Sequence, residues 1–361
     1  MEPRIVGLGT ALITPLTPKG KIDWYRVQRN IAFQLDQGVD GLIPMGTTAE
    51  SPCIEWPDHR QVVTETVVLV NGSRRQVWVI AGTGSNCTAE ASANSWKVYN
   101  NIHKPTGVLL VDPYYNKPAS AQIREFYYQR VITEVLSDED CADTVFVPYI
   151  IPGRSVCQLL PEDLLILRNR FPRNLLAVKE ATGNLDNMAK TRRLLGPDFS
   201  IMSGDDELTA TMMERADIRA NGVISVMSNI VPAAIKTMIV AFALGETEKG
   251  QAFHRKLLPL FQLVTVKVTT EETIEGVHRH AEDKFPNPCG IKTAMAGLGI
   301  DTGIMFDPLG PMNNVAVQMV RDGLRQVWRE SPEILAPIEN FYGVNIGNRL
   351  DDDGIWRALA A

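Results

Sequence analysis

Along this chain, short apolar or β-branched runs alternate with longer stretches whose apolar residues recur at helical spacing. The short runs are 5–16 (IVGLGTALITPL), 41–46, 77–84, 107–113, 145–152, 175–181, 199–205 and 222–228. The stretches that follow them are 23–37, 57–71, 88–101, 120–136, 162–170, 184–195, 207–216 and 231–244. Near-continuous apolar runs are the signature of parallel strands covered on both faces by helices. Eight such units predict an α/β fold of the (β/α)8 TIM-barrel type. A doubly wound open sheet is the alternative, but it lacks the glycine-rich dinucleotide turn after the first strand. The barrel is expected to span 1–246 and a C-terminal helical domain 247–361, with helices at 247–268, 288–298 and 313–330. The polar segment 269–287 (TTEETIEGVHRHAEDKFPN) reads as an inserted exposed loop, and NRLDDDGIWRALAA as an acidic tail.

Composition narrows the function classes. With 361 residues, 45% hydrophobic and 22% charged, the chain can bury a large core. A net charge of −6 without any concentration of Lys and Arg argues against nucleic acid, while small anionic ligands remain open. Five scattered cysteines form no CxxC pair and no metal-ligand spacing, which suits a reducing compartment. No run is long enough to span a bilayer, and no basic leader with a cleavage-like end opens the chain. The cytoplasm is the expected location, or a plastid stroma if a transit peptide was removed.

In a barrel of this kind chemistry belongs at the carboxyl ends of the strands. Those ends carry GTTAES (46–51), GTGSN (82–86), PYYNKP (113–118), PYIIPGR (148–154), VKEATGN (178–184) and SGDD (203–206). Lys179 is the group that most needs explaining, because it closes an apolar strand. Burial disfavours an ammonium and lowers its pKa toward the range in which a free amine attacks carbonyls. Imine formation with a keto acid is the chemistry such an amine offers, with Tyr115, Tyr149 and Thr47 as a hydroxyl relay. Thr48, backbone N–H groups and Arg154 are the candidate donors to carboxylates. Each residue also has a plain alternative: a snorkelling lysine, packing tyrosines, a helix cap, a loop arginine. Lys267 reads as part of an amphipathic surface element, and His278 and His280 as solvated rather than metal-binding.

Taken together, GTTAES, PYYNKP, PYIIPGR, VKEATGN, SGDD and GVISV (222–226) resemble, in order and spacing, the dihydrodipicolinate synthase / N-acetylneuraminate lyase family of class I aldolases. The resemblance covers roughly 5–300 and implies a (β/α)8 barrel with a C-terminal helical domain. It implies Lys179 as the Schiff-base lysine, Tyr149 as general acid/base, and Thr47 and Tyr115 as relay partners, Tyr115 reaching in from a neighbouring subunit. Thr48 and the backbone at Ile224 match positions that hold the pyruvate carboxylate. Arg154 matches the arginine that receives the carboxylate of L-aspartate 4-semialdehyde.

Gly-Thr-Thr, Arg154 and KEATGN favour the synthase branch over the sialate lyases. The implied reaction gives 4-hydroxy-tetrahydrodipicolinate on the way to diaminopimelate and lysine. Departures are Ile150 in place of Asn, Ala49 in place of Gly, the long 269–287 segment and the extended tail. Trp56, His59, Asn86, Glu90 and Tyr114 match a dimer-interface site where the family binds L-lysine as a feedback inhibitor; otherwise they are ordinary interface residues. The resemblance implies a homodimer or homotetramer, no metal and no organic cofactor. Other pyruvate-dependent aldolases of the fold, or a non-catalytic keto-acid-binding barrel, are the rival readings.

Overall fold

The computed structural model describes residues 4–361. Eight parallel strands close on themselves in sequence order, β1 (Gly7–Ala11), β2 (Gly41–Ile43), β3 (Trp78–Gly82), β4 (Gly107–Val111), β5 (Val145–Ile150), β6 (Ala177–Glu180), β7 (Ser200–Ser203) and β8 (Gly222–Ser225), and β8 pairs back onto β1. Each expected run contains one of these strands. The covering helices are α1 (Trp24–Asp36), α2 (Trp56–Gly72), α3 (Thr88–Tyr99), α4 (Gln129–Leu136), α5 (Pro161–Arg170), α6 (Leu185–Leu195), α7 (Thr209–Glu214) and α8 (Pro232–Ala243). A π-helical segment, Ile123–Tyr128, leads into α4.

Strand alternation sorts the side chains into two layers. Val145, Val147, Tyr149, Ala177, Met202 and Ile224 pack together inside the barrel, whereas Val108, Leu110, Phe146, Val178 and Ile201 pack between sheet and helices. Lys179 shares the parity of Ala177 and therefore points inward. The turn chemistry after it starts the next helix: Gly183 takes φ +69°, and the Asn184 side chain caps α6 by accepting the Asn187 N–H at 3.0 Å.

Beyond the barrel lie α9 (Thr247–Phe261), α10 (Cys289–Gly297), α11 (Asn314–Glu330), α12 (Ala336–Tyr342), α13 (Ile346–Asp351) and α14 (Asp353–Arg357). One apolar cluster runs from Leu8 and Val223 through Leu257 and Val320 to Trp356.

Two expectations are corrected here. The 269–287 segment is not a loop but most of a β-hairpin, β9 (Val266–Ile274) and β10 (Val277–Phe285), turning at Glu275–Gly276. The helix expected to reach 268 accordingly ends at Phe261, with Lys267 exposed on β9. Because both faces of the hairpin carry polar residues, hydrophobicity alone does not reveal its two-residue period; Val266, Val268 and Thr270 mark it weakly. The acidic tail is likewise structured. Trp356 is fully buried, its indole Nε1–H donates to the Arg349 carbonyl at 2.9 Å, and a Cβ on Gly297 would come within 2.1 Å of its ring. Trp356→Ala should therefore lower stability by about 3–5 kcal/mol in urea unfolding, and Gly297→Val should be similarly disruptive.

Candidate active site

Tyr149 and Lys179 are register partners on β5 and β6, so parallel pairing puts both groups at one level of the barrel mouth. The Lys179 Nζ lies 4.2 Å from the centroid of the Tyr149 ring. Burial brings the Lys179 amine down to about 7; the buried Asp206 carboxylate opposes this and Arg154 adds to it. Burial also pushes the Tyr149 phenol up to about 12, against the opposing influence of Arg154 and a hydrogen bond from Thr47. The amine can thus shed its proton near neutrality while the phenol keeps its own.

A cavity of about 320 Å³ opens over Lys179, lined by Thr48, Tyr149, Arg154, Lys179, Asp206 and Asn287 among others. A second, of about 330 Å³, lies beside it and shares Tyr149 and Arg154; Thr47, Trp56, Glu90 and Tyr114 are in its wall. Thr47 therefore bridges the two through its hydrogen bond to Tyr149. Ile224 is buried inside β8, directly before the Ser225–Val226 turn at the cavity. Tyr115 is the exception: within one chain it is 82% exposed at φ +75° and lines neither cavity. Such a backbone angle is strained for a tyrosine.

Two residues given no role in the sequence reading prove central to the geometry. Asp206 is buried, its Oδ2 accepting the N–H groups of Val226 at 2.9 Å and Met227 at 3.1 Å. Burial raises its pKa to about 6, against the lowering influence of a hydrogen bond from Ser225 and of those two backbone bonds. Asn287 donates from Nδ2 to Thr48 Oγ1 at 3.0 Å, and its carbonyl accepts from Arg154 at 2.8 Å. The SGDD motif carries a signal for the first; nothing in the sequence marks Asn287, the last residue of the polar 269–287 segment.

The five residues of the second candidate site also cluster. Trp56 Nε1–H donates to Glu90 Oε1 at 2.8 Å, Ser85 donates to the other oxygen, and the Trp56 and His59 rings lie 4.5 Å apart. Those two bonds, Ser85 first, hold the Glu90 carboxyl below its ordinary range. Burial lowers His59 to about 4. The Tyr114 hydroxyl is hydrogen-bonded to the Asn86 backbone. Among the described residues, no group of three or more His, Cys, Asp or Glu side chains could hold a metal ion, and no helix is long and apolar enough to cross a membrane.

The sequence model of the dihydrodipicolinate synthetase family matches residues 4–327. The chain belongs to this family. Its curated relatives include the 4-hydroxy-tetrahydrodipicolinate synthases of Methanococcus maripaludis, 35% identical over 85% of this chain and 93% of that protein, and Geobacter sulfurreducens, 35% identical over 84% and 92%. Family membership extends to the architecture: the dihydrodipicolinate synthase of Aquifex aeolicus superposes with a TM-score of 0.77 at 31% identity, covering 89% of this chain and 98% of that one. The enzyme of Cyanidioschyzon merolae, crystallised with lysine bound, gives 0.75 at 30% identity, covering 90% and 99%. The family's chemistry is that of a lyase of the class I aldolase type.

The buried amine has a consequence for stability. Unfolded, Lys179 titrates near 10.4; folded, it titrates at about 7. Between those values the unfolded chain holds a proton that the folded chain has released, so this residue's contribution to stability rises with pH across that window. Lys179→Met should stabilise the fold by on the order of 4 kcal/mol at pH 7 and below, the gain fading toward pH 10. Urea unfolding at several pH values measures this, and a variant destabilised at pH 7 would contradict the assignment.

Proposed function

We propose that this chain condenses pyruvate with L-aspartate 4-semialdehyde to 4-hydroxy-tetrahydrodipicolinate, in lysine and diaminopimelate biosynthesis. The observation that carries the reading is the Lys179 amine, buried, lowered to about 7 and set against the face of Tyr149. The free amine adds to the ketone of pyruvate and water leaves, forming an imine. Loss of a methyl proton then gives an enamine, whose carbon attacks the aldehyde of the semialdehyde. The amino group of the bound adduct then attacks the imine carbon, closing the ring. The Lys179 amine leaves as the new carbon–nitrogen double bond forms, so the water lost on imine formation is the only one released. Tyr149, still protonated, is the proton donor beside the nitrogen, and Thr47 is its relay partner.

Thr48 and the backbone at Ile224 hold the pyruvate carboxylate, and Arg154 the carboxylate of the semialdehyde. Tyr115 completes the relay of a neighbouring subunit, which gives its exposure and strained backbone a purpose and makes a homodimer the minimum active unit, with a homotetramer as its further assembly. We place the reaction in the cytoplasm, or in a plastid stroma where a leader has been removed. Trp56, His59, Asn86, Glu90 and Tyr114 form the L-lysine site: Glu90 meets the ligand's ammonium, and the shared wall at Tyr149 and Arg154 carries the inhibition.

Borohydride with pyruvate should label Lys179, and Lys179→Arg should abolish the label. Arg154→Ala should raise KM for the semialdehyde about tenfold or more while pyruvate trapping persists, as expected for loss of a charge-assisted hydrogen bond. Turnover with N-acetylmannosamine instead of the semialdehyde would overturn the acceptor. For the second site, Glu90→Gln should weaken inhibition by added L-lysine at least about tenfold in initial-rate assays. A wild-type enzyme indifferent to lysine would remove that part of the reading.

A further inference from the structure

The β9–β10 hairpin is a two-stranded sheet with no third strand on either side among the described residues. β9 is tied to the body of the protein, where Asn313 at the start of α11 donates to Thr270 Oγ1 at 3.1 Å. β10 pairs with β9 on one side and with no strand among the described residues on the other. Its nine-residue register is continuous from Val277 to Phe285, without a bulge or proline. Glu275 and Gly276 both take positive φ, 50° and 79°, the pattern of a two-residue type I′ turn. Such a turn makes Ile274 and Val277 the closing hydrogen-bonded pair, so the N–H and C=O groups of 278, 280, 282 and 284 point away from β9. A bare, regular edge of this kind is a template for another strand.

We propose that β10 pairs antiparallel with β10 of a second copy of this chain, about a two-fold axis at Ala281. In that register Arg279 faces Asp283 of the other copy, His280 faces Glu282, and Val277, 68% exposed in the single chain, meets Phe285. Symmetry repeats each contact. His278 meets Lys284, the one pairing of basic with basic. Moving the axis by one residue puts His280 or Glu282 opposite itself, and moving it by two does the same to Arg279 or Asp283. Ala281 is also the midpoint of the strand, so the charge-matched register gives the longest overlap.

The pairing builds on an ion cluster already formed within each copy. Arg279 binds Asp283 of its own chain and Glu272 at 3.0 Å, and the Arg279 bond, with a second from Thr270, holds the Asp283 carboxyl at about 2. The joined ribbon has four strands where an isolated pair is marginal in water. The hairpin roots also lie at the Lys179 cavity: Val264 and Thr265 precede β9, Asn287 follows β10, and all three line it. Pairing tethers that wall from outside.

At the axis the two Ala281 Cα atoms form a non-hydrogen-bonded pair about 4.5 Å apart, within disulfide range. Mild oxidation of Ala281→Cys should yield a 281–281 disulfide dimer, identified by peptide mass mapping. Adding Glu282→Lys, which puts lysine opposite His280 twice, should cut the cross-linked fraction about tenfold. Adding His280→Glu to that variant restores opposite charges and should restore the yield. Without the cysteine, sedimentation velocity should show Glu282→Lys halving the mass of the assembly and the double swap recovering it. No 281–281 cross-link, or a double swap as weak as the single variant with native circular dichroism in both, overturns the proposal.

Discussion

An ammonium cannot stay charged cheaply where Lys179 lies, and much of the architecture around the site follows from that constraint. Closure of eight strands creates an interior from which water is largely excluded, and alternation along β6 turns Lys179 into it beside Ala177. Desolvation alone would carry the amine far down. The Asp206 carboxylate pulls the other way, and the balance falls at about 7. An exposed lysine would be protonated at that pH; a lysine buried without any counter-charge would have a weaker base for a nitrogen and so a poorer nucleophile. The same burial acts in the opposite sense on Tyr149, whose phenol is held protonated. One dehydrated environment thus separates a usable base from a usable acid on neighbouring strands.

Asp206 joins this balance to the frame of the site. One oxygen fastens the N–H groups of Val226 and Met227, fixing the turn that leaves β8 directly after Ile224 and Ser225. The carboxylate's negative charge also acts on the Lys179 amine, whose pKa it holds up against burial. Sharing the two roles keeps the charge opposite the amine at a set distance from the backbone that borders the cavity.

How much of this was legible in the sequence depends on how local each signal is. Buried parallel strands announce themselves as apolar runs, so all eight were visible. Lys179 stood out because a charge interrupts such a run. The hairpin was hidden because polar residues occupy both of its faces, leaving Val266, Val268 and Thr270 as a faint alternation. The C-terminal helices were masked by three consecutive aspartates, although Trp356 among them fills a pocket floored by Gly297. Tyr115 was placed by resemblance, and a single chain leaves it in solvent. Asn287 was invisible for a further reason: its importance lies in contacts 239 and 133 residues away in sequence, to Thr48 and Arg154.

Those contacts give Asn287 a larger share in the site than its position suggests. By donating to Thr48 Oγ1 it occupies a lone pair of that oxygen and leaves the threonine's own proton free, as the proposed grip on the pyruvate carboxylate requires. By accepting from Arg154 through its backbone carbonyl it fixes the guanidinium at the wall of the Lys179 cavity. A second tie holds the same two segments together: Lys292, five residues on, donates to Glu50 at 2.7 Å and to the Thr14 carbonyl at 2.9 Å, while Glu50 also accepts the Phe306 N–H at 2.7 Å. Both charges of that pair are essentially inaccessible to solvent, so removing either strands the other in the interior at a cost of roughly 3–5 kcal/mol. The segment carrying Thr47 and Thr48 is therefore locked to the start of α10 by one neutral bond at the cavity and one ionic bond beneath it. The region beyond the barrel does more than cover the end of β8; through the side-chain amide and the backbone carbonyl of Asn287 it orients Thr48 and Arg154 at the cavity. That is why the site cannot be understood from the strand ends alone.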